Sequence, residues 1–169
     1  MILGLSVQTF TLLHVAISLV GILTGLVVLA AMILGRDLKI NTAVFLAATV
    51  LTSATGFLFH SAKFGPPHIV GLLSLVILAV ALAALYGKHL AGIWRPTYVI
   101  TAVTALYLNC FVLVVQAFGK IPALTALAPT GSEPPFQVAQ LVVLALFVVL
   151  GFLAMRRFHP ARPPAAAVG

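Results

Sequence analysis

Three histidines are the side chains of this sequence best suited to binding chemistry. His14 lies inside the first long apolar segment, and His60 and His68 lie on either side of a short connection. Neutral imidazole is a common ligand for Zn, Cu and Fe, and Glu133 adds a carboxylate on the same side of the predicted bundle. In one interpretation His14, His60, His68 and Glu133 hold a transition metal or haem iron. In the other, His60 and His68 are ordinary interfacial histidines at helix ends, and His14 is a hydrogen-bond partner in helix packing. The eight-residue separation of His60 and His68 matches no standard zinc motif such as HExxH.

Three side-chain amides complete the predicted site. Asn109, Gln116 and Gln140 fall toward the same end of the predicted helices and could orient metal ligands through hydrogen bonds. A quinone could use the same pocket, because its carbonyls accept hydrogen bonds from His and Gln. The cofactor is thus left open between a metal, haem and a quinone. The predicted cofactor-binding residues are His14, His60, His68, Asn109, Gln116 and Gln140.

Five long apolar segments must position these side chains. The chain is 63% hydrophobic and 7% charged, which leaves too little polar surface for a water-soluble globule. About 20 apolar residues are needed for a helix to cross the hydrocarbon core, and ten-residue alternating segments typical of a β-barrel are not seen. The sequence therefore predicts an all-α membrane bundle of five transmembrane helices, at residues 10–34, 42–60, 69–86, 97–118 and 136–155.

The basic residues predict the orientation of the bundle, because Lys and Arg are retained in cytoplasmic loops. Seven lie in one alternating set of connections: Arg36, Lys39, Lys88, Arg95, Arg156, Arg157 and Arg162. Two, Lys63 and Lys120, lie in the other set. The N-terminus is therefore predicted outside and the C-terminus in the cytoplasm. Residues 1–158 are predicted to form one bundle, and the Pro/Ala-rich residues 159–169 a disordered cytoplasmic tail.

Small and weakly polar residues recur at three- and four-residue steps on single faces of the helices. Such stripes are typical of close packing between membrane helices. Since buried polar groups need partners in lipid, the striped faces should meet inside the bundle. The first helix carries Thr11, His14, Ser18, Gly21 and Gly25; the second carries Thr49, Ser53, Gly56 and His60.

The longest connection, residues 119–135, contains the apolar segment IPALTALAP. It could lie on the bundle as a lid over the polar end or as a packing loop, and the sequence leaves both open. Ser132 is predicted to be the N-cap of the last helix.

Three segments carry a resemblance: HSAKFGPPHIVGLLSLV, ALYLNCFVLVVQAFGKIPAL and LAPTGSEPPFQVAQ. They resemble small uncharacterised polytopic proteins of the bacterial inner membrane, over most of the chain from the second helix onward. This resemblance implies the architecture and the location, and no activity. The histidine content also resembles helix-bundle cytochromes of the b561 type, although a second pair of in-helix histidines is missing here.

Three functions are compatible with these patterns. A structural or accessory subunit would bind a membrane-protein partner or a second copy through its small-residue stripes. A redox, metal, haem or quinone protein would use the histidine cluster. A small transporter would use the polar end as a vestibule, but the cytoplasmic half offers few polar residues for a path. No GxSxG, P-loop, GxGxxG or carboxylate pair is present, which argues against an enzyme. The formal charge of +7 is explained by the basic residues of the cytoplasmic loops and by their affinity for anionic lipid headgroups. No nucleic-acid partner is expected.

Overall fold

The computed structural model describes residues 1–59 and 65–160. Within these residues the regular secondary structure is helical, and there is no β-strand. The six α-helices are α1 (Val7–Ile33), α2 (Lys39–Gly56), α3 (Pro66–Leu82, continued by a π-helical turn at Ala83–Gly87), α4 (Trp94–Lys120), α5 (Pro122–Leu127) and α6 (Pro134–Arg157).

Helix α1 begins and ends with local capping interactions. The Ser6 hydroxyl accepts a hydrogen bond from the Thr9 amide at 3.0 Å, as an N-cap residue does. At the other end Gly35 has a φ of +69°. The Gly35 and Arg36 amides donate to the carbonyls of Met32 and Ala31, which is the Schellman arrangement. Glycine suits this position because it adopts positive φ without steric strain.

Prolines determine three of the remaining helix boundaries. Pro66 and Pro134 each occupy the first turn of a helix, where the missing amide hydrogen is not needed. Helix α4 ends at Lys120 because Ile121 precedes Pro122 and is therefore extended. The N-cap of α6 is Glu133, so the prediction of Ser132 was wrong by one residue. Pro134 explains this shift, because a proline forces the residue before it, here Glu133, out of the helical region.

Four of the helices are long and apolar enough to cross a membrane: α1, α3 with its π-helical turn, α4 and α6. Helix α2, over its described residues, is not among them because its composition is more polar. It has 18 residues, begins with Lys39, and includes four threonines and one serine. Its last turn tightens to i→i+3 hydrogen bonds at Phe57 and Leu58, so it ends before the predicted limit. Residue 60, the predicted end, lies outside the described residues.

Contacts along the helices define two ends of the bundle. The basic end joins the α1–α2 loop, the start of α4 and the end of α6: Arg95 Nη1 donates to the carbonyls of Met155 at 3.1 Å and Phe158 at 2.6 Å. At the opposite end, here called the histidine end, His14 contacts Thr55. The ring centroids of Phe118 and Phe136 are 5.4 Å apart at the same end. The helices therefore alternate in direction.

Burial is concentrated toward the basic end. The largest fully buried side chains there come from α2, α3 and α4 and include Phe45, Leu46, Leu78, Tyr98 and Leu106. In α6, by contrast, the buried residues are Phe147 and Ala154, both in its second half. In α3 the first buried residue is Ser74. Among the described residues, the half of the bundle near the histidine end is thus the less buried half, and it holds His14, His68 and Gln140.

Candidate functional site

His14 faces α2 from the first half of α1 and is half-buried. Its Nδ1 lies 2.8 Å from the Thr55 hydroxyl oxygen. That hydroxyl donates its single hydrogen to the Leu51 carbonyl at 2.6 Å, so toward His14 it can only accept. A neutral His14 therefore carries its hydrogen on Nδ1 and has its lone pair on Nε2, the tautomer in which Nε2 can serve as a ligand or an acceptor.

Aromatic side chains surround the His14 ring. Phe59 lies edge-on to it with ring centroids 5.1 Å apart, and Phe10 contacts Phe59 at the same separation. Ring pairs of this geometry contribute roughly 0.5–1.5 kcal/mol beyond their buried area. Phe59 directly precedes His60, which lies outside the described residues. The proximity of His60 to His14 therefore stays a prediction.

His68 has a structural role at the start of α3. Its Nδ1 accepts a hydrogen bond from the Gly65 amide at 3.1 Å, which supplies a partner for an otherwise unpaired backbone donor. The Phe57 ring lies 5.9 Å from it. In the neutral ring Nε2 then carries the hydrogen. Metal coordination through His68 would therefore require this cap to break, whereas coordination through His14 Nε2 would leave the His14–Thr55 contact intact.

Glu133 is engaged in a turn at the surface. Its carboxylate accepts hydrogen bonds from the Thr130 hydroxyl at 2.8 Å and from the amides of Thr130 and Ser132 at 3.1 Å. Desolvation acts to raise the pKa of the Glu133 carboxyl, but these hydrogen bonds outweigh it and hold the pKa below its ordinary value. The carboxylate thereby orders the turn that leads into α6.

The three predicted amides lie at different places. Asn109 Nδ2 donates to the Thr49 hydroxyl at 3.2 Å, close to Gly21. Gln140 Nε2 donates to the Phe111 carbonyl at 3.2 Å, while its Oε1 is buried with no hydrogen-bond partner among the described residues. Gln116 is exposed on α4. The structure thus uses Asn109 and Gln140 to join helices.

The connection between α4 and α6 packs back onto α4. The Thr125 hydroxyl of α5 donates to the Phe118 carbonyl at 2.7 Å, and Ala128 is buried. Its six-residue helix, which the sequence did not predict, is thereby attached to the end of α4.

A metal site is not formed by the described side chains alone. Within residues 1–59 and 65–160, no three His, Cys, Asp or Glu residues lie close enough together to hold a metal ion. The predicted ligand set also includes His60, which lies outside those ranges, so a site completed by His60 stays a prediction.

Sequence reasoning missed Thr55 as a partner of His14. Threonine in a helix commonly donates to the carbonyl four residues earlier, as Thr55 does, and so gives no separate signal. Its lone pairs nevertheless accept from a second helix. The available signal was its position near the end of α2, at the depth of His14 on an antiparallel neighbour.

Comparisons with protein-family models, with curated proteins and with solved structures found no match to this chain.

Proposed function

We propose that this chain is a five-span protein of the bacterial inner membrane, with its N-terminus outside and its C-terminus in the cytoplasm, that acts as a structural or accessory subunit. Four apolar helices support the membrane location. The five-span count then depends on α2, and the subunit role depends on how the polar side chains are used.

The surface of α2 supports its membrane crossing. After Lys39, its exposed residues are all apolar: Ile40, Ala43, Val44, Ala47, Leu51 and Ala54. Its polar Thr42, Thr49 and Ser53 are buried against the other helices. A helix lying in water beside four spans would show the reverse pattern. Helix α2 also packs antiparallel to α1 from Phe45, opposite Gly25, to Thr55, opposite His14.

Charge at the two ends supports the orientation. The contacts of Arg95 and of the Arg157 carbonyl with neighbouring segments gather the basic loops at one end. Lys120 lies at the other end of α4. Since an excess of Lys and Arg marks the cytoplasmic side, the basic end is the cytoplasmic one and Val7 enters from outside.

The observation that carries the subunit role is that the in-helix polar side chains join one helix to another. His14 meets Thr55, Asn109 meets Thr49, and Gln140 meets the Phe111 carbonyl. Interhelical hydrogen bonds of this kind stabilise membrane bundles by roughly 0.6 kcal/mol on average. Residues used in this way support a packing role, and the exposed apolar surface of the helices is available to a partner subunit or a second copy.

A cofactor analysis of the detergent-purified protein tests this proposal. We expect no visible absorption band and no stoichiometric metal in the wild type. His14→Ala should then lower the unfolding temperature without loss of any bound group. A haem band, or one metal ion per chain that disappears in His14→Ala and remains in a control such as His89→Ala, would overturn the structural role of His14.

The tautomer of His14 favours one alternative function, a redox protein that binds metal, haem or a quinone at the histidine end. Metal-binding histidines usually donate their second ring N–H to a nearby acceptor. The His14–Thr55 contact has that form and leaves Nε2 toward possible ligands. Loss of the cofactor in His14→Ala together with retention in Thr55→Val at lower affinity would support this alternative.

A further inference from the structure

An apolar groove of about 430 Å³ lies between α4 and α6, away from the histidine end. Its floor is formed by the buried Val99, Val103 and Phe147. The exposed Ile100, Val148 and Phe152 form its rim. This volume is within the range of pockets that hold small ligands, and the groove faces the outer surface of the bundle.

Glycine gives the groove its depth. A Cβ atom at Gly151 would lie 3.2 Å from Val103 Cγ1, so a larger residue would crowd the contact between α4 and α6. The Thr104 hydroxyl, which also lines the groove, donates to the Ile100 carbonyl at 2.7 Å. Its polar hydrogen is therefore paired within α4. Along α6 the groove extends from Leu144 to Met155, roughly 16 Å at the rise of a helix.

Positive charge lies at one mouth of the groove. The Arg156 guanidinium carbon is 5.0 Å from the centroid of the Phe152 ring, which forms part of the rim. Beside it, Arg95 Nη1 donates to the carbonyls of Met155 and Phe158. These contacts cover the carbonyls at the end of α6, whose partial negative charge would otherwise repel an anion. Nε and Nη2 of Arg95 remain as further N–H donors.

We propose that the groove holds an acyl chain of an anionic phospholipid whose phosphate is bound at Arg156. The apolar floor and rim suit a hydrocarbon chain, and the Arg156 guanidinium over the rim suits a phosphodiester oxygen. Basic sites between helices near the cytoplasmic surface are known to recognise acidic headgroups. This lipid site is independent of the accessory role proposed above, because it uses none of the residues of the histidine end.

Native mass spectrometry of the delipidated, detergent-purified protein tests the site. Dioleoylphosphatidylglycerol and dioleoylphosphatidylcholine, which differ in headgroup charge, would be added separately. We expect tighter binding of phosphatidylglycerol to the wild type. Arg156→Gln should reduce that preference about fivefold, the effect of one basic residue near an anionic surface. The matched control is Arg157→Gln, since Arg157 is also exposed at the end of the same helix, whereas Arg156 is the arginine that contacts the Phe152 ring on the rim.

A second variant tests the acyl-chain position. Val148→Trp should fill the groove from its exposed rim and weaken binding of both lipids, with Val148→Phe as the smaller substitution if the first does not fold. Equal effects of the two arginine variants, or no headgroup preference in the wild type, would overturn the phosphate site. Unchanged lipid binding in the Val148 variants, or loss of an oligomer instead of lipid, would show that the groove has another occupant.

Discussion

Asn109 of α4 and Thr49 of α2, sixty residues apart in sequence, are hydrogen-bonded at 3.2 Å where these helices meet α1. A Cβ atom at Gly21 of α1 would lie 3.3 Å from the Thr49 hydroxyl and 3.6 Å from Asn109 Nδ2. Thr49 is fully buried and also donates to the Phe45 carbonyl at 2.8 Å. One small polar contact therefore relates three helices to each other in the interior of the bundle.

The Asn109–Thr49 contact should contribute measurably to stability. Asn109→Leu and Thr49→Val are each expected to destabilise the bundle, and a double-mutant cycle should give a coupling of about 0.6 kcal/mol. Reversible unfolding in mixed micelles would measure it. Strictly additive effects would mean that the hydrogen bond contributes nothing to stability.

His14 should be replaceable by an amide if it acts in packing. Removing the ring in His14→Ala loses the contacts with Thr55 and Phe59, and we expect a loss of about 1 kcal/mol. His14→Gln should recover most of that loss, because a side-chain amide can also donate to Thr55. Thermal unfolding of the three proteins in detergent measures the difference. If Gln is no better than Ala, the ring has a role that hydrogen bonding does not explain.

Gly25 should not tolerate even a methyl group without rearrangement. A Cβ there would lie 2.5 Å from Leu106 Cδ1 and 2.8 Å from the Phe45 ring. Gly25→Ala is therefore expected to destabilise the bundle by about 1–3 kcal/mol through overpacking. Gly119→Ala is the control, since no atom of the described residues lies within 4 Å of its Cβ position. Equal stability of the two variants would contradict the close contact of α1 with α2 and α4.

The Glu133 turn should depend on pH in one direction. Because hydrogen bonds from Thr130 and Ser132 hold its pKa below the ordinary 4.5, its contribution is complete above pH 4.5 and is lost as pH falls through the lowered pKa. The protection of amides at the start of α6 against hydrogen exchange should therefore fall in acid more in the wild type than in Glu133→Gln, which lacks the titrating group. The same pH dependence in both proteins would assign the effect to other groups.

Reporter fusions should distinguish five spans from four. If α2 crosses the membrane, a fusion after Arg157 is active as a cytoplasmic reporter, and a fusion at Gly131 is active as a periplasmic one. If α2 does not cross while the N-terminus stays outside, both locations are reversed, because every later helix changes direction. A periplasmic C-terminus would therefore contradict the proposed topology.

The sequence by itself predicted the long apolar helices, but not the short helix α5. Four long apolar segments became helices that can cross a membrane, because helix formation and burial in lipid depend on residues that are close together in the chain. It also predicted that Gly21 and Gly25 face other helices, from three- and four-residue spacing alone. Proline displaced one boundary by one residue, at Glu133 before Pro134.

The partners of the polar side chains were decided by the tertiary structure. His14 bonds Thr55 across 41 residues, and Gln140 bonds the Phe111 carbonyl across 29. Such pairs depend on the rotation and depth of two separate helices, which no local pattern specifies. The groove has the same origin, since its lining comes from α4 and α6, which approach each other closely where Gly151 meets Val103. Residue types were therefore readable from the sequence, whereas their contacts required the packing of distant helices.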